Sequence, residues 1–225
     1  MMSTLESMMK KDTNLYMNKK YLIITAAHLD SNRNEDYENS IKSIMSFYQK
    51  FDRIFLLECV SKKMDELEYL NKYPIEIVIS DFQNHYENYG INEFLHINLF
   101  LKKQTYIKED DTIVKITGRY LMKNDNLIKR MPLNNERILA KLDGDIWDKY
   151  TGNNNIGVHT FYFAFKKIEM SHFISYLFKT KLIESTKHIE WILKDYITSM
   201  ENSSFYEGEM GVETNFKCNG LKVIT

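Results

Sequence analysis

Cysteine, glycine and proline are all scarce in this chain, and charge of either sign is nearly balanced. Two cysteines in 225 residues, Cys59 and Cys218, give neither a disulfide framework nor the paired spacing of a zinc site. Cys59 lies in the apolar run Ile54-Phe55-Leu56-Leu57-Glu58-Cys59-Val60, where a buried free thiol is expected. No Gly-x-Gly-x-x-Gly follows the first apolar run. Ala26-Ala27-His28-Leu29-Asp30 stands there instead, which argues against a dinucleotide dehydrogenase. Neither the phosphate-loop pattern of kinases and ATPases nor the Gly-x-Ser-x-Gly elbow of hydrolases occurs. Thirty basic side chains against 31 acidic ones leave a formal net charge of −1, without the basic excess of a protein that coats nucleic acid. No apolar run reaches the roughly 20 residues that span a bilayer. Met1 to Lys20 is polar, without the hydrophobic core of a signal peptide, so it reads as a weakly structured leader and the expected location is cytoplasmic.

What is present is ample material for a core. The chain is 44 % hydrophobic and 13 % aromatic, and at this length about 70 % of the unfolded surface can be buried. Tyr21 to His28 is a continuous apolar run ending in small residues, the pattern of a strand covered on both faces. A helix is expected from Ser31 or Asn32 to about Lys50, a strand over 52–60, and a helix over 61–71 capped by Ser61. A third strand spans 75–79, Asn88-Tyr89-Gly90 reads as a turn, a helix covers 91–107 and a fourth strand 112–117. Strand, helix and strand in alternation imply parallel βαβ units with right-handed crossovers. Beyond Tyr120 the regularity weakens. Residues 124–135 read as a loop, 158–166 as one strand, 169–178 and 187–200 as helices, with a last strand near 221–224. The expectation is one α/β domain over 21–225 with a mostly parallel, Rossmann-like sheet flanked by helices. Its nucleotide half runs to about residue 120 and its acceptor half follows.

Open parallel sheets bind ligands beyond the carboxyl ends of their strands. That rule selects Ala26 and His28, Glu58, Asp81, and the group Lys115, Thr117, Gly118 and Arg119. Thr-Gly-Arg at a strand end offers a hydroxyl, a backbone open to close approach and a guanidinium that grips phosphate bidentately. Asp81 could accept from a uracil or ribose group, or cap the following turn. Asp143 and Asp145 bracket a glycine and could hold Mg²⁺ or Mn²⁺ against a diphosphate, although such triplets also make ordinary turns. His159 and Thr160, beside Phe161 and Phe163, suit a sugar-binding surface, with core packing as the competing role for the aromatics. Near the C-terminus, Glu213 and then Glu209 are the candidate general bases for an acceptor hydroxyl.

The front half, the helix preceding Ile113-Val114-Lys115-Ile116-Thr117-Gly118-Arg119-Tyr120, and Gly157-Val158-His159-Thr160 with a Glu-bearing tail resemble small GT-A-type glycosyltransferases. Similar short chains occur in large DNA viruses and in bacterial surface-polysaccharide clusters. The resemblance covers most of residues 20–216. It implies an enzyme that moves a sugar from a nucleotide-diphosphate sugar to a glycan hydroxyl, often with Mn²⁺ or Mg²⁺. Such enzymes usually carry Asp-x-Asp at the end of the fourth strand, where this chain has Thr117-Gly118-Arg119. Either Asp143 and Asp145 serve instead, or Arg119 and Lys115 neutralise the diphosphate without a metal. Two other readings stand beside this one. One is a non-catalytic module that binds a glycan or a partner. The other is a sugar nucleotidyltransferase, from which a glycine-rich loop after the first strand would be expected.

Overall fold

The computed structural model describes residues 18–28, 33–130, 136–143, 157–201, 204–216 and 221–224. Strands β1 (Lys20–Ala26), β2 (Arg53–Glu58), β3 (Glu76–Ile79) and β4 (Thr112–Thr117) alternate with α1 (Asn34–Met45) and α2 (Tyr89–Lys103). After them come β5 (Leu121–Met122), α3 (Asn126–Arg130), β6 (Ile138–Ala140), β7 (Leu142–Asp143), β8 (Gly157–Val158) and β9 (Tyr162–Lys166). Helices α4 (Lys167–Lys179) and α5 (Ile189–Thr198) and strands β10 (Ser204–Phe205), β11 (Val212–Phe216) and β12 (Leu221–Ile224) complete the order. The central sheet runs β10-β6-β9-β4-β1-β2-β3, parallel through β4-β1-β2-β3, with β9 antiparallel to both β4 and β6.

The apolar run of β1 is continuous because the strand is covered twice. Tyr21 and Ile23 face a core shared with α2, α4 and α5, while Leu22 and Ile24 face one shared with α1 and α3. The period-two alternation of a strand makes that division. Each fully buried Leu or Ile contributes about 1.5–3 kcal/mol relative to exposure. The crossover from β1 to β2 lies on the α1 face, and the one from β3 to β4 lies on the α2 face. Strand order therefore reverses at β1, and a gap opens beyond the carboxyl ends of β1 and β4.

Several expectations need correction. Residues 61–71 hold a 3₁₀ segment, Asp65–Leu70, in place of an α-helix. The Ser61 hydroxyl donates to Glu66 (2.6 Å) and does not cap it. Helix α2 starts two residues early because the Asn88 carboxamide accepts from the Gly90 and Ile91 amides. Residues 158–166 are two strands, interrupted at His159 to Phe161. The loop expected over 124–135 contains α3, and Glu213, a candidate base, lies in β11, which pairs with β5 and β12. The leader falls on residues outside the description apart from its last three.

Glu58, at the end of β2, is completely buried and accepts three backbone N–H groups: His28 (3.0 Å), Val60 (2.7 Å) and Ser61 (2.8 Å). It thereby fixes the loops that leave β1 and β2. Two histidines, His96 and His159, are also buried, and loss of hydration pushes both down to about 4, with Lys62 and Lys141 respectively adding to the effect.

Glu58→Gln should lower unfolding free energy by about 1–3 kcal/mol in denaturant titrations, because one acceptor oxygen becomes a donor facing an amide. An unchanged stability would remove Glu58 from this role. The buried histidines give a pH dependence of definite sign. Unfolded histidine titrates near 6.5, so between about 6.5 and 4 the unfolded chain binds protons that the native chain does not. Melting temperature is expected to fall from pH 7 to pH 5, and His159→Gln to make that fall shallower; an equal slope in the variant would contradict the assignment.

Candidate active-site cleft

Two cavities lie side by side at the carboxyl ends of β1 and β4. The first, about 260 Å³, is lined by Thr25, Ala26 and Ala27 from β1 and its exit, by Thr117 and Arg119 from the end of β4, and by α2. The second, about 450 Å³, lies between the N-termini of α2 and α5 and is lined by Asn88, Glu87, Thr160, His188 and Glu190 among others. Tyr89, Gly90 and Glu93 line both, so the two form one cleft with the start of α2 as its divider. Asn88 holds that divider in place: its Nδ2 donates to the carbonyls of Lys187 (2.8 Å) and Ser185 (3.3 Å), just before α5. Gly90 is required there, because a Cβ would stand 2.3 Å from Cγ2 of Ile189.

Among the described residues, the cations of the first cavity are Arg33 and Arg119. Arg33 donates to the Ala27 carbonyl (2.8 Å) and also bonds Tyr37, whose hydroxyl accepts from the Ala27 amide. Arg119 is exposed, and no described residue bonds its guanidinium. It is thus available to an anion. Asn84 and His96 also line the cavity, the latter bonded to Ser80 Oγ (2.5 Å) and Asn84 Oδ1 (2.8 Å). Its low pKa keeps His96 neutral at pH 7. Tyr89, 85 % exposed, presents a ring over both cavities that could cover a base or sugar face.

The structure separates the residues selected from the sequence. Ala26, Thr117 and Arg119 meet at the first cavity, and Thr160 lines the second, its hydroxyl donating to Glu190 (3.0 Å). Glu58 lies behind the rim with its oxygens occupied by backbone amides, so it does not face a ligand. His28 is buried between Asn34 (2.7 Å) and Glu66 (3.3 Å). Gly118 does not leave room for a ligand: a Cβ there would meet Tyr37 at 3.0 Å and the Thr25 carbonyl at 3.2 Å, so its smallness serves the packing of α1. Asp81 lines neither cavity and pairs with Lys103, which holds its carboxyl below the usual range. His159 is buried with its ring 4.6 Å from that of Phe161 and lines neither cavity, and Phe163 and Phe165 stack within the core. Glu209 and Glu213 also line neither cavity. Glu213 pairs with Lys123 (2.5 Å) on the β5–β11–β12 sheet. Asp143 sits in β7 with its backbone paired to Gly157, and Asp145 falls outside the described residues, as does Cys218. Among the described residues, no three potential metal ligands converge, and no helix is long and apolar enough to cross a membrane.

Sequence reasoning missed Arg33, Asn84, Tyr89, Glu93 and Glu190. The available signal was Asn88: read as an N-cap, it places Tyr89 and Glu93 in the opening turns of a helix that starts at the sheet's carboxyl edge.

No protein-family model matches the chain, and no curated protein sequence does. Solved structures do. The chain is similar to a 4-diphosphocytidyl-2C-methyl-D-erythritol synthase from Anaerococcus prevotii, with TM-score 0.55 and 17 % identity over 93 % of this chain and 92 % of that one. It is similar to an inositol-1-phosphate CTP transferase from T. maritima, with TM-score 0.54 and 12 % identity over 84 % and 85 %. A 2-C-methyl-D-erythritol 4-phosphate cytidylyltransferase from Francisella tularensis gives TM-score 0.51 and 13 % identity over 79 % and 86 %. The shared property is the fold, a GT-A-like α/β arrangement that covers 79–93 % of this chain.

Proposed function

We propose that the chain is a nucleotidyltransferase, which joins the nucleoside monophosphate part of a nucleoside triphosphate to a phosphorylated sugar or polyol. The observation that carries this reading is the cleft at the β1/β4 switch point, with an Arg119 that no described residue bonds, in a fold shared over 79–93 % of this chain with the three solved structures above. In the reaction an oxygen of the acceptor's phosphate attacks the α-phosphorus. The bond from that phosphorus to the β-phosphate oxygen breaks, and pyrophosphate leaves. Negative charge grows on the leaving group, and Arg119 and Arg33 are the described cations of the cavity that would neutralise it. Mg²⁺ or Mn²⁺ would supply further positive charge to the phosphates.

Transfer from a nucleotide-diphosphate sugar is a second reading, and a specific observation favours it. Among the described residues the second cavity is lined by Glu87, Glu93 and Glu190 and by no lysine or arginine, which suits a hydroxyl-bearing acceptor better than a phosphate. The absence of glycine from Ala26-Ala27-His28-Leu29-Asp30 points the same way.

A thermal-shift panel of CTP, UTP and nucleotide sugars, with and without Mg²⁺ or Mn²⁺, tests the shared premise. A ligand at 100 times its Kd should stabilise the native state by about 2.7 kcal/mol. Arg119→Ala should weaken nucleotide binding by roughly tenfold or more, given charge-assisted hydrogen bonds of about 1.5–3 kcal/mol. Product analysis divides the two readings: pyrophosphate release with a sugar or polyol phosphate supports nucleotidyl transfer, and nucleoside diphosphate release from a nucleotide sugar supports glycosyl transfer. No shift with any nucleotide would refute both.

A further inference from the structure

Lys115 lies in the middle of β4 and is fully buried. An ammonium group there requires partners, because an unpaired buried charge is strongly unfavourable. Its three protons have three acceptors: Glu93 Oε1 at 2.9 Å, Thr117 Oγ1 at 2.8 Å and the Thr160 carbonyl at 2.7 Å. The expected contact of Lys115 with a diphosphate is therefore not available without breaking this set. The lysine acts on Glu93 instead.

Glu93 Oε1 also accepts from the Thr25 hydroxyl at 2.5 Å. One oxygen of the carboxylate is thus anchored to β1 and β4, while no described residue bonds Oε2. The side chain is 25 % exposed, and the residue lines both cavities. Among the described residues it is the sole carboxylate lining the first cavity, which Arg119, Arg33, Asn84 and His96 also line. A carboxylate accepts hydrogen bonds and repels phosphate. The matching part of a nucleotide is its ribose, which carries two vicinal hydroxyl donors between base and phosphates.

From this geometry we infer that Glu93 binds the ribose hydroxyls of the nucleotide and that Lys115 is its positioning residue. The inference rests on the nucleotide-binding reading above and adds a specificity to it: the cleft selects ribonucleotides over nucleotides that lack the sugar hydroxyls. Among the described residues, the other carboxylates near the strand ends do not compete for the role. Glu58 is occupied by backbone amides, and Asp81 stands outside the cavity with Lys103.

Titration calorimetry of the full chain with CTP and UTP, and with their 2′,3′-dideoxy counterparts, tests this directly. The wild type should bind the ribonucleotide about tenfold or more tightly, as expected for charge-assisted hydrogen bonds to one carboxylate. Glu93→Gln should reduce ribonucleotide affinity by a similar factor and leave dideoxynucleotide affinity within about twofold. Lys115→Met should compress the ribose-to-dideoxyribose ratio, a readout that simple loss of packing would not move, and Asp81→Asn should leave the ratio unchanged. Equal binding of the two sugars by the wild type would overturn the inference even if neither site variant folded. Equal weakening of both by Glu93→Gln would also overturn it. Those outcomes leave nucleotide binding itself intact, whereas no binding of any nucleotide would overturn both readings together.

Discussion

The cleft depends on one buried cation. Lys115 has Val114 and Ile116 as its neighbours in the strand, and hydration is denied to it on both faces of the sheet. It is tolerated because β1, β4, α2 and the segment ahead of β9 each supply a group to its network: Thr25, Thr117, Glu93 and the Thr160 carbonyl. The same demand fixes the relative positions of those four segments at the point where strand order reverses. Replacing such a pair by apolar side chains can be neutral for stability, so the polar arrangement is better understood through what it holds in the cleft than through what it adds to folding.

Around this network the polar groups are sorted by sign. Arg33 and Arg119 belong to the first cavity alone, Glu87 and Glu190 to the second alone, and Glu93 to both. A ligand with an anionic end and a hydroxyl-rich end fits that sorting, and a nucleotide followed by a sugar or polyol has such a distribution. His96 adds a neutral hydrogen-bonding group at pH 7, because burial keeps its ring from taking a proton. Tyr89 at the divider offers its ring to whichever planar or sugar face reaches it.

Much of this fold is legible in the sequence because its central strands are buried on both faces. Tyr21 to Ala26, Ile54 to Glu58 and Thr112 to Thr117 read as strands for that reason, and the ends of the first and last direct attention to Ala26, Thr117 and Arg119. The antiparallel direction of β9 is not legible, since hydrophobic alternation carries no polarity, and strands of two residues such as β5 and β8 carry no periodicity. The site is less legible than the fold. Glu58 and Lys115 occupy strand positions that the strand-end rule reaches, but strand alternation and local hydrogen bonds turn their side chains inward. Glu93 is separated from its partners Thr25 and Lys115 by 68 and 22 residues, a juxtaposition that no local pattern encodes. Asp81, by contrast, has the right chemistry and the wrong neighbour, because Lys103 on α2 draws it to the surface.

In the proposed binding mode a nucleotide lies across the carboxyl ends of β1 and β4, with its phosphates on the arginines and its ribose on Glu93. A crystal structure of the chain soaked with CTP and Mg²⁺ addresses it most directly. Phosphate oxygens within hydrogen-bond distance of Arg119 and a ribose hydroxyl donating to Glu93 Oε2 are expected. Density for the nucleotide in another part of the molecule, with Arg119 left in solvent, would contradict it.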